Sequence, residues 1–297
     1  MKKYACLDIG GTAIKYGIID GQGRILEKGS TATSAEHIVR TAVEIVERYR
    51  QSHSLLGICI STAGMVDPET GKIVYSGPTI PYYQGTCWKE IMESRFDLPC
   101  EAENDVNCAN LAEFTSGASA GCDTAVMLTV GTGIGGSMIL GGKLYHGCTN
   151  SAFEVGYMHM EGGDFQSLAS AAALTKKVAE RKREAAECWP GTRIFEEAKS
   201  GDSVCCQAID EMADVLGKGI ANICYTVNPQ AVVLGGGIMA QEEFLKEKLE
   251  KSVRKYLLPI LADNTRVLFA KHGNDAGMLG AYYHFCRRRS SEGEQNT

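Results

Sequence analysis

Apolar and polar residues alternate in two separate stretches of the chain, and glycine turns interrupt each stretch. The first stretch contains "KYACLDI", the turn "GGT", "IKYGIID" and "RILEKGSTA", and this order predicts three antiparallel strands. The second stretch, "TAVMLTVGTGIGGSMILGGKLYHG", repeats the order of strand, glycine turn, strand, turn and strand. The repetition predicts two halves that are built on one plan.

The region between these stretches has helical and buried-strand patterns. "SAEHIVRTAVEIVERYRQ" carries apolar residues at helical spacing, which predicts an amphipathic helix with Ser34 as its cap. "LLGICIS" is mostly apolar and predicts a buried strand. Two more elements follow, a short helix and a strand end that opens into another helix: "WKEIMESRF", "CEAEND" and "VNCANLAEFTSG".

The second half of the chain alternates helices with strands. Helical patterns lie near residues 166–182, at 190–199, 203–227 and 275–289, and in "QEEFLKEKLEKSVRKYL". "QAVVLGGG" and "TRVLFA" predict strands, and the polar residues 290–297 predict a disordered tail. Strands that alternate with helices indicate the α/β class, and we place a domain boundary near residue 108.

Composition excludes several classes of protein. The 297 residues, 44% of them hydrophobic, suffice for one large or two medium domains. A net charge of -6 and a pI near 5.6 argue against nucleic-acid and membrane-surface partners. No apolar run could span a bilayer and no signal peptide opens the chain, so we expect a cytoplasmic protein. Twelve cysteines without a C-x-x-C pair favour reduced thiols.

The glycine turns are the first candidates for chemistry. Glycine lets backbone N–H groups converge on an anion, because no Cβ blocks the approach. The turn "DIGGT" also carries Asp8 and Thr12, with Lys15 beyond it, and "GTGIGG" carries Thr132. Tight hairpin turns need glycine in any case, so each turn alone is ambiguous. Two such turns, with "GGG" after a third strand, favour phosphate binding.

Acidic residues at strand ends are the second candidates. Asp105 lies in "AENDVN", where a strand hands over to a helix. Asn104 or Asp105 could simply cap that helix, and Asp105 could also accept a proton from an attacking hydroxyl. Glu154 in "FEVGYMHM" could be a solvated surface residue or a ligand of sugar hydroxyls.

In order and spacing, a set of motifs across the whole chain resembles the ROK family of sugar kinases, within the hexokinase/actin-like superfamily. They are "LDIGGTAIKYGIID", "ENDVNCANLAEF", "VGTGIGGSMILGGKLYHG", "FEVGYM", "VVLGGGI" and "DAGMLGA". The resemblance implies two ribonuclease-H-like α/β domains flanking a cleft, the actin-like ATPase and sugar kinase fold. The expected domains are residues 1–107, completed by the C-terminal helix 275–289, and residues 108–274.

The resemblance also assigns residue roles. Asp105 resembles the catalytic base, and Asn104 and Glu154 resemble ligands of the sugar. Tyr157 stands where the family has a histidine that contacts the sugar, so we expect Tyr157 at the sugar as well. The residues implied for Mg²⁺-ATP are Asp8 (also the metal ligand), Gly10, Gly11, Thr12 and Lys15, then Gly131, Thr132 and Gly133 at the phosphates, and Gly235 and Gly236 near the adenosine. Family members are often homodimers, so we expect one here.

Two departures from the family pattern bear on the substrate. Many members carry a C-x-C-G-x-x-G-C zinc site after the glutamate motif, whereas this chain has no cysteine there and Tyr157 in place of the usual histidine, so we expect no structural zinc. The loop "YSGPTIPYYQGTCW" contains Pro78, Tyr82, Tyr83 and Trp88. These rings either pack inward or stack on a sugar, and stacking would suit a β-glucoside.

These observations predict an ATP-dependent sugar kinase that phosphorylates a sugar hydroxyl. The favoured acceptor is the 6-hydroxyl of glucose, or of the non-reducing glucose in a β-glucoside such as cellobiose. The alternatives are a glucokinase, an N-acetylhexosamine (N-acetylmannosamine) kinase, and a non-catalytic, sugar-binding regulatory ROK protein. A transcriptional repressor is disfavoured, because those ROK members carry a DNA-binding module before the kinase-like part and this chain is acidic.

Overall fold

The computed structural model describes residues 1–77 and 80–295, with side chains described as far as residue 290, and forms two compact units. The first unit comprises Met1–Thr115, His146–Ser151 and the chain from Asn274 onward. The second comprises Ser116–Tyr145 and Ala152–Gly273. Each unit joins a mixed sheet to helices, so the predicted α/β class is confirmed.

The first unit is built on a sheet with the strand order β3-β2-β1-β4-β7. Strands β1 to β3 are antiparallel neighbours, whereas β4 and β7 run parallel to β1. A separate two-stranded ladder joins β5 to β6. The elements are β1 (Lys3–Ile9), β2 (Ala13–Asp20), β3 (Ile25–Ala32), α1 (Ile38–Ser52), β4 (Gly57–Thr62), β5 (Met65–Asp67), β6 (Lys72–Tyr75), α2 (Trp88–Phe96), β7 (Cys100–Asn104), α3 (Asp105–Ser116) and, from the C-terminus, α10 (Ala276–Gln295).

The second unit repeats this plan with the strand order β10-β9-β8-β13-β14. Strands β8 to β10 are antiparallel neighbours, and β13 and β14 run parallel to β8. A short β11–β12 ladder lies apart from the sheet. The elements are β8 (Ala125–Val130), β9 (Ile134–Leu140), β10 (Lys143–Leu144), β11 (His159–Met160), β12 (Gly163–Asp164), α4 (Phe165–Ala169), α5 (Ala171–Lys182), α6 (Gly191–Lys199), α7 (Ser203–Val227), β13 (Ala231–Gly235), α8 (Glu242–Tyr256), α9 (Pro259–Ala262) and β14 (Arg266–Phe269).

The shared plan confirms the repetition that the glycine-interrupted strands predicted. In both units a three-residue turn joins the first two strands, at residues 10–12 and at residues 131–133. Because the carboxyl ends of parallel strands meet at one sheet edge, each unit gathers its turns there. In the first unit Ile9 lies beside Thr62, which lies beside Asn104.

Two local expectations differ from the structure. A 3-10 turn over Ala35–His37 precedes α1, and Ser34 makes no side-chain capping bond, so the serine cap was a wrong prediction. The helix α10 runs to Gln295 and therefore includes the residues of the expected tail up to that point. Of the described part of the chain, no helix combines the length and the apolar character that crossing a membrane requires.

Helix α10 packs tightly against α3 at Gly280. A Cβ atom on Gly280 would lie 1.8 Å from the carbonyl oxygen of Cys108, which is far below a normal contact. A side chain at this position therefore forces the two helices apart. This close approach allows the C-terminal helix to complete the first unit.

We predict that Gly280→Ala lowers the melting temperature by roughly 5–10 °C, because overpacking outweighs the helix propensity that alanine adds. Thermal unfolding followed by circular dichroism measures the shift. Gly237→Ala is the matched control, since a Cβ atom there would meet nothing within 4 Å. An unchanged or raised melting temperature for Gly280→Ala would contradict the packing described here.

Candidate active site

The first glycine turn joins β1 to β2 and is fixed by backbone and hydroxyl contacts. Gly10 N–H donates to the carbonyl of Ala13 at 3.0 Å, and the Thr33 hydroxyl donates to the carbonyl of Gly10 at 2.7 Å. The side chain of Thr12 is exposed at the tip of the turn. A small rigid turn with an exposed hydroxyl at the carboxyl edge of a sheet suits an anionic ligand.

Asp8 lies at the base of this turn, between two polar partners and the first turn of α10. Its Oδ1 accepts a hydrogen bond from the Ser61 hydroxyl at 2.7 Å, and its Oδ2 lies 3.6 Å from the Lys15 ammonium. A Cβ atom on Gly277, in the first turn of α10, would lie 2.4 Å from Asp8 Oδ1. The predicted neighbours Asp8 and Lys15 are therefore in contact, and glycine at position 277 is what allows α10 to approach the carboxylate.

The junction of β7 and α3 orients Asp105. Asn104 Oδ1 accepts the backbone N–H groups of Val106 and Asn107 at 2.9 and 3.0 Å, which makes Asn104 the helix cap. The Asn104 amide group donates to the carbonyl of Gly64 at 2.9 Å and to Asp105 Oδ1 at 3.0 Å. Asp105 Oδ1 also accepts the N–H of Val106 at 2.9 Å. Capping is thus real for both residues, and it fixes the Asp105 carboxylate.

A wholly buried carboxylate, Glu103, precedes this junction. Its Oε2 accepts a hydrogen bond from His146 Nε2 at 2.7 Å and lies 3.6 Å from Nδ1 of His284. Its Oε1 accepts the backbone N–H of Asn104 at 2.8 Å and the side-chain amide of Asn107 at 3.0 Å. A buried charge needs such partners, because an unpaired one is costly.

Burial and these contacts shift the pKa values of Glu103, His146 and His284. Burial alone would raise the pKa of Glu103, but the hydrogen bond from His146, the positive charge of that ring and the hydrogen bond from Asn107 lower it below its usual value. Burial alone would lower the pKa of His146, but its bond to Glu103 raises it above the usual 6.5. Burial lowers the pKa of His284 to about 4, so this ring is neutral near pH 7.

Two rings of the aromatic loop in the first unit pack inward. Tyr83 and Trp88 are buried, and the Tyr83 hydroxyl accepts from Trp88 Nε1 at 2.8 Å and contacts Thr62 Oγ1 at 2.6 Å. This corrects the stacking expectation for these two rings, because hydrogen bonds inside the unit already hold them. Tyr82 is fully exposed, with a φ of 59°. Pro78 lies outside the described residues.

The second glycine turn, in the second unit, joins β8 to β9. Gly131 N–H donates to the carbonyl of Gly133, and the carbonyl of Gly131 accepts from Ala171 N–H at the start of α5, both at 2.9 Å. A Cβ atom on Gly131 would meet nothing within 4 Å, whereas one on Gly133 would lie 2.6 Å from Gln166 Oε1. A side chain at 133 would therefore require the end of Gln166 to move, whereas nothing in the protein limits a side chain at 131.

The third glycine segment follows β13 beside this turn. Gly236 has a φ of 97°, and a Cβ atom on it would lie 2.4 Å from the carbonyl oxygen of Val130. A Cβ atom on Gly235 would lie 2.5 Å from the methyl group of Met127. Glycine is thus required at 236, where the clash is with the backbone, whereas at 235 the end of Met127 would have to move; the end of β13 lies against the start of the turn at 131–133.

Glu154 is presented by a strained turn in the second unit. Its φ of -68° and ψ of 57° form an inverse γ-turn, closed by Val155 N–H donating to the carbonyl of Phe153 at 2.7 Å. Phe153 has a φ of 71°, a conformation that costs a bulky residue about 1–3 kcal/mol. Glu154 is exposed, but partial burial of its carboxyl group raises its pKa. Tyr157, three residues on, is also exposed.

The side chains near the first glycine turn could hold Mg²⁺ only together with the phosphate groups of a bound nucleotide. Mg²⁺ in proteins is commonly held by one or two carboxylates together with waters and substrate phosphates. Asp8 is a mostly buried carboxylate at the base of a turn and satisfies that requirement. Within the described residues no group of three or more His, Cys, Asp or Glu side chains could hold a metal ion. The absence of structural zinc stays an expectation.

The predicted residues fall into two sets, one in each unit. Asp8, the turn at 10–12, Lys15 and the junction at 104–105 lie in the first unit; the glycine segments at 131–133 and 235–236, with Glu154 and Tyr157, lie in the second. The sequence analysis did not identify four residues that contact the predicted site residues: Ser61, Glu103, His146 and Gln166. Only the strand pairing of Ser61 with Asp8 could have revealed the first of them, and no spacing signal exists for the others.

The chain belongs to the ROK family, whose pattern matches residues 4–288. An uncharacterized protein of Clostridium perfringens is 48% identical over 289 residues, which cover 96% of this chain and 98% of that protein. The β-glucoside kinase of Klebsiella pneumoniae is 32% identical over 292 residues, which cover 95% of this chain and 96% of the kinase.

Solved structures share the fold over nearly the whole length. A ROK family glucokinase from Streptomyces griseus, in complex with glucose and AMPPNP, has a TM-score of 0.83 and 30% identity, covering 94% of this chain and 97% of its own. A ROK family protein from Streptococcus pneumoniae, in complex with sucrose, has a TM-score of 0.86 and 30% identity, covering 97% and 99%. The family resemblance and the actin-like ATPase fold class are thereby confirmed.

The bond between His146 and Glu103 predicts a pH-dependent contribution to stability. Because the pKa of His146 is raised in the fold, its contribution is complete below pH 6.5 and is lost as pH rises through the raised pKa. Because the pKa of Glu103 is lowered, its contribution is present above pH 4.5 and is lost as pH falls through the lowered pKa. Arg288 and Glu69 also act on His146, with opposite signs.

We therefore expect the difference in melting temperature between wild type and His146→Gln to be largest between about pH 4.5 and 6.5 and to shrink towards about pH 9. Differential scanning fluorimetry across this range measures it. The exposed His159, changed to Gln, is the control. A difference that stays constant with pH would refute the ion pair.

Proposed function

We propose that this chain is an ATP-dependent sugar kinase in which Asp105 is the general base. The observation that carries the proposal is the Asp105 carboxylate, which hydrogen bonds from Asn104 and Val106 hold at the carboxyl ends of the parallel strands β1, β4 and β7. Transfer of a phosphoryl group mostly requires positioning and charge neutralisation, so one oriented base is enough protein chemistry. The kinases among the similar proteins support the same reaction class.

The sugar is assigned to Asp105, Asn104, Glu154 and Tyr157. Asp105 accepts the proton as the sugar oxygen attacks the γ-phosphorus, while the bond from that phosphorus to the bridging oxygen of ADP breaks. Glu154 is exposed and offers carboxylate oxygens to hydroxyl groups. Asn104 already uses both amide hydrogens and accepts two backbone N–H groups. Its main part in the proposal is therefore to orient Asp105.

The phosphates are assigned to the two glycine turns. The turn at 10–12, with Asp8 at its base and Lys15 beside it, and the turn at 131–133, with the exposed Thr132, supply backbone N–H groups and small polar side chains. Asp8 is the residue that would hold Mg²⁺. When bound, that ion neutralises charge that develops on the phosphate oxygens. Gly235 and Gly236 are assigned to the adenosine side.

Within this class we propose a β-glucoside, with phosphorylation at the 6-hydroxyl of its non-reducing glucose. Relatives named β-glucoside kinase are 32% identical over nearly the full length. A fully exposed Tyr82 offers a flat apolar surface on which a second sugar or an aryl group can stack. Glucokinases are also among the relatives, so free glucose is the competing acceptor.

The test is a coupled ADP-release assay with Mg²⁺-ATP and a panel of glucose, mannose, N-acetylglucosamine, N-acetylmannosamine, cellobiose and aryl β-glucosides. We expect turnover with cellobiose or aryl β-glucosides to exceed turnover with glucose. Asp105→Asn should lower kcat by at least about a hundredfold and leave sugar affinity within a few fold, because it removes the base and keeps the shape.

The assay results distinguish the kinase activity, the β-glucoside substrate and the role of Asp105. Turnover on a monosaccharide alone keeps the kinase and removes the β-glucoside. Near-normal turnover of Asp105→Asn removes the assigned base. Sugar binding by calorimetry without any ADP release in the wild type would favour a non-catalytic, sugar-binding regulatory protein.

Gly131 gives a sharper probe of phosphate binding than Gly133. We expect Gly131→Ala to raise the KM for ATP by about tenfold or more, because its methyl group enters space that no protein atom uses but that the phosphates need. Steady-state kinetics measure this, and thermal unfolding verifies that the fold is unchanged. An unaltered KM for ATP together with unaltered kcat would remove Gly131 from the phosphate site.

A further inference from the structure

Glu103 is a buried carboxylate that the proposed reaction does not use. It lies at the end of β7, wholly buried, two residues before Asp105. One of its oxygens accepts from both the backbone of Asn104 and the side chain of Asn107. The other oxygen accepts from His146. A buried charge that accepts hydrogen bonds from three groups in this way has a specific local task, since a neutral apolar residue would be cheaper to bury.

Glu103 contacts residues that precede and follow Asp105 in the chain. Asn104 and Asn107 lie on either side of Asp105 along the chain, and the same carboxylate oxygen binds both, at 2.8 and 3.0 Å. Asn107 is tied a second time, because its backbone N–H donates to Asn104 Oδ1 at 3.0 Å. Asn104 then donates to Asp105 Oδ1. These bonds link Glu103, Asn104 and Asn107 across the first turn of α3, and Asp105 lies between the two asparagines in the chain.

His146 compensates the charge of Glu103. It belongs to the segment His146–Ser151, which is part of the first unit although the residues on both sides of the segment belong to the second. Its bond to Glu103 is the shortest that the carboxylate accepts, at 2.7 Å. The neutral ring of His284 approaches only to 3.6 Å, and Arg288 and Glu69 complete the charged surroundings.

We infer that Glu103 and His146 are a positioning pair that fixes the Asp105 carboxylate for proton transfer. The inference rests on the proposed function, in which Asp105 is the base. Neither residue touches a substrate in this account. His146 holds Glu103, Glu103 holds Asn104 and Asn107, and Asn104 holds Asp105.

A purely structural ion pair predicts something different. It would change the melting temperature but leave kcat unchanged once the protein is folded. A positioning pair lowers kcat while the KM values stay nearly constant, since a small displacement of a catalytic group can cost up to about a hundredfold in rate. The split between kcat and KM therefore separates the two roles.

The experiment compares three variants of the full chain, each assayed well below its own melting temperature. His146→Leu removes the hydrogen-bond donor, and His146→Gln keeps a neutral donor. His53→Leu is the control, because His53 lies 2.9 Å from Glu27, a half-exposed carboxylate elsewhere in the first unit, so this change also removes a histidine beside a glutamate but far less buried charge. We expect His146→Leu to lower kcat at least about tenfold with both KM values within about threefold, and His146→Gln to recover most of kcat.

Amide hydrogen exchange gives a readout that does not need activity. We expect the amides of Asn104, Val106 and Asn107 to exchange at least about tenfold faster in His146→Leu than in wild type, and near the wild-type rate in His146→Gln and His53→Leu. If His146→Leu does not fold, Glu103→Gln takes its place in both measurements, since it removes the charge and keeps the size.

The two proposals fail in distinguishable ways. No sugar-dependent ADP release in the wild type refutes the proposed function, whatever the exchange rates are. Wild-type kcat in His146→Leu, or unchanged exchange at residues 104–107, overturns the positioning pair while the kinase stands. A kcat loss that His53→Leu reproduces equally would also overturn it, because the effect would then be general destabilisation.

Discussion

The parallel pairing of β1 with β4, and of β4 with β7, is the constraint on which the candidate site of the first unit depends. The register sets Ile9 beside Thr62 and Thr62 beside Asn104, so three chain segments end at one sheet edge. Asp8 receives the Ser61 hydroxyl through that register, because these two residues are strand partners. A shift of one residue would turn each side chain to the opposite face and would separate all of these groups.

Burying carboxylates on β7 has a cost that the C-terminal helix offsets at Glu101. Glu101 and Glu103 are both buried, and α10 brings the charged Arg289 to 2.9 Å from Glu101, whereas His284, 3.6 Å from Glu103, is neutral near pH 7. Lys89 and His146 complete the pairs, at 3.0 and 2.7 Å. Removing one partner of such a pair leaves an uncompensated charge, which is far more damaging than losing a surface ion pair. The close packing of α10 is therefore part of what compensates the buried charge on β7.

Sequence patterns predicted local structure well and side-chain partners poorly. The strand-to-helix handover at Asp105 and the two glycine turns could be located, because glycine and capping residues mark them within a few positions. The sequence did not decide whether Tyr83 packs inward, because a loop has the same aromatic residues whether their rings pack in a core or contact a ligand. The partnership of Glu103 with His146 joins residues 43 apart, and no periodicity encodes it. The roles assigned to individual site residues remain predictions.

The central claim is that the chain transfers a phosphoryl group from ATP to a sugar hydroxyl. The most direct measurement is ³¹P nuclear magnetic resonance of wild-type protein incubated with Mg²⁺-ATP and cellobiose, with Asp105→Asn in parallel. We predict that a sugar phosphomonoester signal grows in equal amount with ADP, and that both grow at least about a hundredfold more slowly with the variant. ADP accompanied only by inorganic phosphate, or equal product from the variant, would contradict it.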